Sequence, residues 1–197
     1  MAQTTVTPRA VSTARVRESL IDAALELFAR DGFDGTHSDR VAERAGVSPR
    51  TFFRYFPTKE SVVFHRDDGF MRSFAAAFVE QPAELGDYDA VHATFVALAA
   101  GFGALRTRIE TYRAAVDSSP VLIGHEQARQ TAHARTIADA VATRRGAAAP
   151  DDDAHTVASV SLALYQRALR RWLDGPRARE LADLIDEEFT RMTRLVR

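Results

Sequence analysis

A short basic and aromatic segment, Ser48 to Phe56, carries the side chains best suited to recognise another molecule. At about 100° per residue in an α-helix, Phe52 and Phe56 fall on one face, and Arg50 and Arg54 fall on the other. Arginine side chains donate paired hydrogen bonds to guanine O6 and N7 in the major groove of DNA. One face is therefore expected to pack, and the other to contact base edges.

The residues around this segment predict two short helices joined by a tight turn. Ser38 is a favourable N-cap and Gly46 a favourable residue just after a helix end, so the first helix is expected between them. Ser48 and Pro49 begin the second helix, because a serine oxygen accepts from free amides and proline lacks an N–H that would have no partner there. This helix-turn-helix pattern indicates DNA binding.

Three further side chains complete the predicted recognition surface. The Thr51 methyl group suits a thymine methyl, and the Tyr55 hydroxyl suits a phosphate. Phe53 lies at the margin of the exposed arc. Base specificity is expected to rest mainly on Arg50, Thr51 and on Phe53 or Arg54.

The residues after this helix are also predicted to hold DNA. Phe56 and Pro57 end the helix, and Thr58 caps a following helix that starts at Lys59. Free amides at a helix start attract phosphate, and a lysine adds positive charge. Lys59 is the only lysine among 26 basic residues, although the lack of asparagine favours a GC-rich genome as the cause of this bias.

A purely structural interpretation of this segment stays open. Short helix pairs bounded by glycine occur in many α-proteins that do not bind DNA, and arginines on an amphipathic helix usually face solvent. The combination of cap, turn, proline, aromatic pair and the following lysine favours DNA binding.

These residues resemble the TetR family of bacterial one-component transcriptional repressors, in a variant similar to actinobacterial members. The resemblance is strong from Arg15 to about Phe64 and only general beyond it. It rests on Gly32-Phe33, Thr36, Val41-Ala42, Ala45-Gly46-Val47-Ser48, Phe52, Tyr55-Phe56 and Lys59-Glu60.

The resemblance implies that the helix-turn-helix contacts operator DNA, with Tyr55 and Lys59 on phosphates. Base preference does not carry over, because Arg50 and Arg54 replace small or aromatic residues seen in other members. The predicted DNA-binding residues are Thr36, Ser38, Ser48, Arg50, Thr51, Phe53, Arg54, Tyr55 and Lys59.

The composition is typical of a globular chain. Of 197 residues, 46% are hydrophobic and 27% are charged, which is enough for one or two cores. The sequence has no run of about 18 apolar residues for a membrane span, and residues 1–13 lack the apolar core of a signal peptide. A cytoplasmic location without membrane contact is expected. The absence of cysteine excludes disulfides and thiolate metal sites.

The net charge of −1 conceals an asymmetry along the chain. Residues 1–66 hold ten basic and eight acidic side chains, a net of +2, whereas residues 67–197 hold sixteen and nineteen, a net of −3. The positive part is the predicted DNA-binding part. Arg9, Arg15 and Arg17 are expected to reach a minor groove, with a solvated tail as an equal alternative for Arg9.

Apolar residues recur at three- and four-residue spacing along nearly the whole chain, which predicts an all-α fold without strands. A three-helix DNA-binding domain is expected at residues 1–66, with a flexible arm at 1–12. A helical bundle for effector binding and dimerisation is expected at residues 67–197.

Individual helices follow from the same spacing. The first is expected from Thr13 to Arg30, and a long connector from Thr58 to about Glu80. An apolar stripe then runs from Val91 to Val116, and Gly101 and Gly103 within it predict a kink or break. The later helices are expected over residues 121–145, 154–173 and 176–195.

The last two helices carry apolar residues on more than one face, which predicts the subunit interface of a four-helix bundle. A homodimer would hold two recognition helices one DNA turn apart, about 34 to 36 Å, and would read a palindromic operator. The alternative is that both faces pack within one chain. The predicted interface residues are Val157, Val160, Leu164, Leu181, Leu184, Ile185, Phe189 and Met192.

A cavity for a hydrophobic or amphipathic small molecule is expected between connector and interface, because aromatic residues accumulate there. The molecule would favour a conformer whose recognition helices no longer match the groove, and so release DNA. Each aromatic residue taken alone is more often core than pocket. The predicted lining residues are Phe74, Phe78, His92, Phe95, Phe102, Arg106, Tyr112, Tyr165 and Trp172.

No catalytic site, cofactor or metal site is predicted. The six histidines are scattered, and only His125 and His133, two helical turns apart, leave a zinc-sensing variant open. Adjacent carboxylates point in different directions on helices, whereas an acid and base pair must converge. Neither a phosphate-binding glycine loop nor a nucleophile elbow is present.

The sequence thus predicts a dimeric repressor that binds double-stranded DNA and is released by an unidentified small molecule. One alternative is a helix-turn-helix regulator without a small-molecule ligand, controlled by a partner or acting as an activator. A second is a helical binding protein or enzyme that has lost DNA binding.

Overall fold

The computed structural model describes residues 8–64 and 69–196, and these residues form an all-α fold, as predicted. Two short 3₁₀ helices, Glu60–Val62 and Phe102–Leu105, accompany the α-helices. The α-helices are α1 (Pro8–Asp31), α2 (Ser38–Arg44), α3 (Pro49–Tyr55), α4 (Gly69–Val79), α5 (Asp87–Ala99), α6 (Arg106–Asp117), α7 (Pro120–Arg144), α8 (Asp152–Asp174) and α9 (Leu181–Leu195).

Two compact units make up the chain. The first contains residues 1–66 together with residues 108–126, and the second contains residues 67–107 and 127–197. The domain division predicted at residue 66 assigned residues 108–126 to the second domain, whereas in the structure they pack with the first unit. Most of α6 and the start of α7 therefore belong to the same compact unit as the helix-turn-helix.

The core of the first unit joins α1, α2 and α3 to the segment 108–126. Helix α1 contributes apolar side chains to this core, because helical spacing brings them to the same side of the helix. Buried members of this core include Leu20, Phe28, Phe33, Val41, Phe52, Phe56, Val62, Val63, Val116 and Leu122.

The turn between α2 and α3 is closed by Gly46, which has a φ of 71°. The Gly46 N–H donates to Glu43 O at 3.0 Å, and the Val47 N–H donates to Ala42 O at 2.9 Å. This pair of bonds is a Schellman motif, which satisfies the last carbonyls of a helix and places a left-handed residue just after its end. The helix end predicted at Gly46 is confirmed.

In the second unit, α5 packs against α4, α8 and α9, and α8 packs against α9. A buried carboxylate joins the last two helices. Glu188 on α9 is 1% exposed and accepts from Arg167 Nε at 2.8 Å and from Arg171 Nη1 at 2.5 Å, both on α8. The two arginines satisfy a carboxylate that burial would otherwise leave without a partner, and their bonds link α8 to α9.

The predicted break in the middle helix is confirmed. Helix α5 ends at Ala99, Gly101 has a φ of 86°, and a 3₁₀ helix leads into α6. A left-handed glycine at this point ends the helix without the steric cost that a side chain would bring.

The predicted connector helix from Thr58 to Glu80 is wrong in its first part. Only Glu60–Val62 are helical there, as a 3₁₀ turn, and Val63 and Phe64 are not helical. The Thr58 and Ser61 side chains accept from each other's backbone N–H, an arrangement like a capping box that starts a helical turn but does not extend it. Helix α4, Gly69–Val79, is the later part of the predicted connector.

Helix α9 begins at Leu181 and not near Pro176 as predicted. The peptide groups before it are bound by side chains of other helices. Arg106 donates to Leu173 O and Gly175 O at 3.0 and 2.7 Å, and Trp172 Nε1 donates to Arg179 O at 3.0 Å. These bonds hold the segment in a non-helical form.

Half of the predicted interface residues are core residues of one chain, which corrects that prediction. They lie at 2% exposure or less because α9 turns this face toward α5 and α8: Leu181, Leu184, Ile185 and Phe189. The other half of the set is only half-buried: Val157, Val160, Leu164 and Met192.

Within residues 8–64 and 69–196, no single helix is both long and apolar enough to cross a membrane. One strongly bent pair, Asp87–Ala99 with Phe102–Asp117, meets the criterion by length and composition alone.

Candidate DNA-binding surface

Helix α3 begins as predicted. Ser48 is its N-cap, and the Ser48 Oγ accepts from the Thr51 N–H at 3.2 Å. The Thr51 hydroxyl lies 3.0 Å from the same oxygen, and Pro49 occupies the first turn. The cap orders the first turn of a helix that is only seven residues long.

The two faces of α3 differ in exposure as the sequence predicts. Phe52 and the following Phe56 are fully buried, with ring centroids 5.8 Å apart. Phe53 is 50% exposed and meets Phe52 edge-on at 5.2 Å. The Phe53 ring therefore lies on the outward side of α3, as do the exposed Arg50 and Arg54.

The two arginines of α3 are both exposed. The Arg54 guanidinium lies 5.1 Å from the centre of the Tyr55 ring, which orients it without removing its donors. Arg50 lies one turn earlier, beside the half-buried Thr51. Two guanidinium groups, a hydroxyl and an aromatic ring therefore share one outward arc, a set that suits base edges in the major groove.

The two arginines of α2 form ion pairs with carboxylates of α1. Arg44 donates to both oxygens of Glu26, at 3.0 and 2.8 Å. Arg40 pairs with Asp31 at 3.0 Å, and hydrogen bonds from Arg30 lower the pKa of Asp31 to about 2. These pairs fasten α2 to α1 and partly neutralise its charge.

One predicted DNA contact, at Thr36, and one predicted helix cap, at Ser38, need correction. Thr36 is fully buried, and its hydroxyl donates to Gly32 O at 2.8 Å, so its side chain is not available to DNA. Ser38 is the first residue of α2 and not its N-cap, which is His37 without a capping side-chain bond. Whether Ser38 contacts DNA stays a prediction.

Lys59 is engaged inside the protein. Its Nζ donates to Phe33 O at 2.7 Å and to Thr36 O at 3.1 Å, and it lies 3.9 Å from the centre of the Phe33 ring. A lysine has three donors, and two of them are used here. The structure thus adds an internal role to the phosphate contact that the sequence predicts.

The N-terminal arginines fall only partly in the described region. Helix α1 already starts at Pro8, so residues 8–12 are helical and not a flexible arm as predicted. Arg15 is exposed, and the Arg17 guanidinium lies 6.0 Å from the centre of the Phe56 ring. The side chain of Arg9 and all of residues 1–7 lie outside the described residues.

Segment 108–126 contributes to this unit in a way that sequence reasoning missed. Arg108 bonds Glu18 at 2.6 Å and lies 3.1 Å from Asp22, both on α1. The Phe33 N–H donates to Ser118 Oγ at 3.0 Å. Only the apolar stripe on α6 signals burial in the sequence, and it does not show which unit covers it.

Several predicted pocket residues do meet in the second unit, around Phe70. The Phe70 ring stacks with Tyr165 at 5.5 Å and lies 5.7 Å from Phe102. Phe95 stacks on Tyr165 at 4.6 Å and lies 4.7 Å from Phe74. These five rings are called the aromatic cluster below.

The aromatic cluster combines buried rings with partly exposed ones. Phe74 and Phe95 are fully buried, whereas Phe70 and Phe102 are half-buried. Burial raises the pKa of the Tyr165 hydroxyl, so this group stays neutral and can donate a hydrogen bond.

Other predicted pocket residues have structural partners. Arg106 is 4% exposed and lies 4.9 Å from the centre of the Trp172 ring, next to the carbonyls that it binds. His92 stacks on Phe189 at 4.6 Å, and Phe78 stacks on Phe74 at 5.8 Å. For these residues, lining a cavity remains a prediction.

Tyr112 belongs to the first unit, which corrects its predicted place in the pocket. Its ring meets Phe64 edge-on at 6.5 Å, and its hydroxyl donates to Glu126 at 2.6 Å. The residue lies on the stretch of α6 that packs with the helix-turn-helix. Over the part of the chain that the structure describes, no group of three or more histidine and carboxylate side chains is placed to hold a metal ion.

Comparison with known proteins decides the family. Residues 20–65 match the family described as bacterial regulatory proteins, tetR family, and residues 85–197 match the MftR C-terminal domain. The chain belongs to the TetR family. Members of this family are DNA-binding transcriptional regulators.

Individual relatives support this assignment. The chain is 38% identical over 84 residues to the HTH-type transcriptional regulator TcmR of Streptomyces glaucescens. This match covers 43% of this chain and only 37% of TcmR. It is 26% identical over 152 residues to the putative mycofactocin biosynthesis transcriptional regulator MftR of Mycobacterium tuberculosis, covering 77% of each chain. The latter match supports the actinobacterial type.

A solved structure shares the fold of this TetR-family chain. The SmeT–triclosan complex superposes with a TM-score of 0.65 and 17% identity, covering 89% of this chain and 90% of that chain. At this level of identity, the likeness concerns the fold alone.

The first prediction concerns Arg50. Arg50→Ala is expected to weaken binding to an operator selected in vitro by about 1 to 3 kcal/mol and to relax the preference at one base position. The control is Arg44→Ala, because Arg44 is also exposed but is paired with Glu26. Binding to an operator library measures both effects. Equal losses for both variants at every sequence would contradict the assignment.

The second prediction concerns Lys59. Lys59→Met keeps a side chain over the Phe33 ring but removes the bonds to Phe33 O and Thr36 O. We expect weaker operator binding, because the turn loses both bonds, and an unchanged dependence of log Kd on log salt if these two bonds are the whole role of Lys59. A phosphate contact would instead lower the slope by about 0.9 per subunit. A titration over salt concentration separates the two roles, and a lower slope would show that Lys59 acts on phosphate.

Proposed function

We propose that this TetR-family regulator is a homodimeric repressor that binds a palindromic operator through α3 and is released by a hydrophobic small molecule. DNA binding is supported mainly by the outward face of α3. Arg50, Arg54 and the half-exposed Phe53 share this face. The proposed location of the protein is the cytoplasm, where it would bind its operator.

The dimer is supported by the apolar surface that α8 and α9 leave partly exposed. Val157, Val160 and Leu164 follow one another at three- and four-residue spacing along α8 and are half-buried in one chain. Such a stripe on a rigid helix pair is typical of a four-helix bundle between two subunits. The Glu188 contacts hold this helix pair in one arrangement before association.

The effector is supported by the aromatic cluster. Its rings offer flat apolar surfaces, and the neutral Tyr165 hydroxyl offers one donor. These groups suit a flat or aliphatic molecule with a single polar group. Release requires that this molecule bind the DNA-free conformer more tightly than the DNA-bound one.

A second candidate function is a regulator without a small-molecule effector, controlled by a partner or acting as an activator. One observation favours it. Phe74, Phe78 and Phe95 are all fully buried, which is expected of a closed core. Ligand binding by the second unit decides between the two candidates.

The third prediction tests the dimer. Leu164→Arg places a charge in the exposed part of the α8 stripe and is expected to convert a particle of twice the 21.7-kDa chain mass into a monomer. Light scattering after gel filtration measures the mass. Thr131→Arg on an exposed face of α7 is the control and should leave the mass unchanged. A wild-type protein that is already monomeric at micromolar concentration would contradict the dimer.

The fourth prediction tests the effector with N-phenyl-1-naphthylamine, an apolar aromatic probe. At a probe concentration of about 100 times its Kd, binding would add about 2.7 kcal/mol to the free energy of unfolding and raise Tm by several degrees. Phe102→Ala removes a half-buried ring of the aromatic cluster and should reduce this shift, while Phe53→Ala on α3 should not. Absence of a shift in wild type, together with intact operator binding, would support the second candidate.

A further inference from the structure

The turn that joins α1 to α2, residues 32–37, is held together by its own bonds. Gly32 has a φ of 80° and donates to Phe28 O at 3.1 Å. Thr36 bonds back to the turn twice, through its N–H to Phe33 O at 3.2 Å and through its hydroxyl to Gly32 O at 2.8 Å. These hydrogen bonds make the turn rigid, and α2 starts directly after it.

Two side chains that are distant in sequence bind the backbone of the same residue of this turn, Phe33. Lys59, four residues past the end of α3, donates to Phe33 O. Ser118, just past the end of α6, accepts from Phe33 N–H. Phe33 is 3% exposed, and its ring lies 5.0 Å from Phe28, so these polar groups have little access to water.

The Ser118 hydroxyl is oriented for this bond. It donates its own hydrogen to Ala115 O at 2.7 Å, which leaves its lone pairs for the Phe33 N–H. The backbone around it is fixed as well, because Ala115, Val116 and Leu122 lie in the core of the first unit. Arg108, on the same helix, is paired with Glu18 and Asp22 of α1. Ser118 is therefore a rigid acceptor.

We propose that Ser118 is a positioning residue for operator recognition. It holds the α1–α2 turn through the Phe33 N–H, and Lys59, four residues past the end of α3, binds the Phe33 carbonyl. The start of α2 and the end of α3 are thereby fixed to the end of α6, which lies 85 residues from the turn in sequence. This inference rests on operator binding by α3 and not on the dimer or the effector.

The expected effect follows from an unsatisfied donor. Ser118→Ala leaves the Phe33 N–H buried without its acceptor, and the turn relieves this by shifting. Operator affinity is expected to fall about tenfold. Binding to a scrambled duplex and the salt dependence of log Kd are expected to stay unchanged, because no phosphate contact is removed. Ser118→Thr retains the hydroxyl and is expected to restore operator affinity.

The experiment uses the full-length protein and an operator selected in vitro with wild type. Fluorescence anisotropy gives Kd for the operator and for a scrambled duplex, at a temperature where circular dichroism shows each variant to be fully folded. Ser19→Ala, an exposed serine on α1, is the matched control. Ser118→Cys, which keeps the size but is a weak acceptor, replaces Ser118→Ala if that variant does not fold.

The possible outcomes either support or overturn the positioning role of Ser118. A loss of operator affinity with unchanged binding to the scrambled duplex, restored by threonine, supports the positioning role. Wild-type affinity for operator in Ser118→Ala or Ser118→Cys overturns it, as does an equal loss on both duplexes, which a purely structural role would produce. If wild type itself selects no operator, the proposed function fails and not this inference alone.

Discussion

The burial of Phe52 and Phe56 is the interaction on which the DNA-binding surface depends. Helix α3 has only seven residues, too few for a stable helix in isolation. Both rings are fully buried in the core of the first unit, and they determine which face of α3 points outward. Without this anchoring, Arg50 and Arg54 would have no defined direction.

The charge distribution is explained by the same arrangement. The chain has 26 basic and 27 acidic residues, and the ion pairs with α1 occupy the arginines of α2. Arginines of α3 instead remain at the surface. A DNA-binding protein with a net charge of −1 is therefore reasonable, because affinity depends on where the cations lie.

Sequence reasoning succeeded where the decisive signal was local. The Ser48 cap, the Gly46 turn and the helix break at Gly101 each depend on a few neighbouring residues, and all three are confirmed. It failed where distant partners decide. The Thr36 side chain is buried, Lys59 donates to carbonyls of the α1–α2 turn, and Tyr112 packs with the first unit. None of these partners can be read from the spacing of residues along a helix.

The account is tested most directly by hydroxyl-radical footprinting of the wild-type protein on a selected operator. Two copies of α3 in adjacent major grooves predict two protected patches on one face of the duplex, with centres about one helical turn, 10 to 10.5 base pairs, or a multiple of it apart. A single protected patch, or protection that does not depend on sequence, would contradict the central claim that a paired α3 surface reads a palindrome.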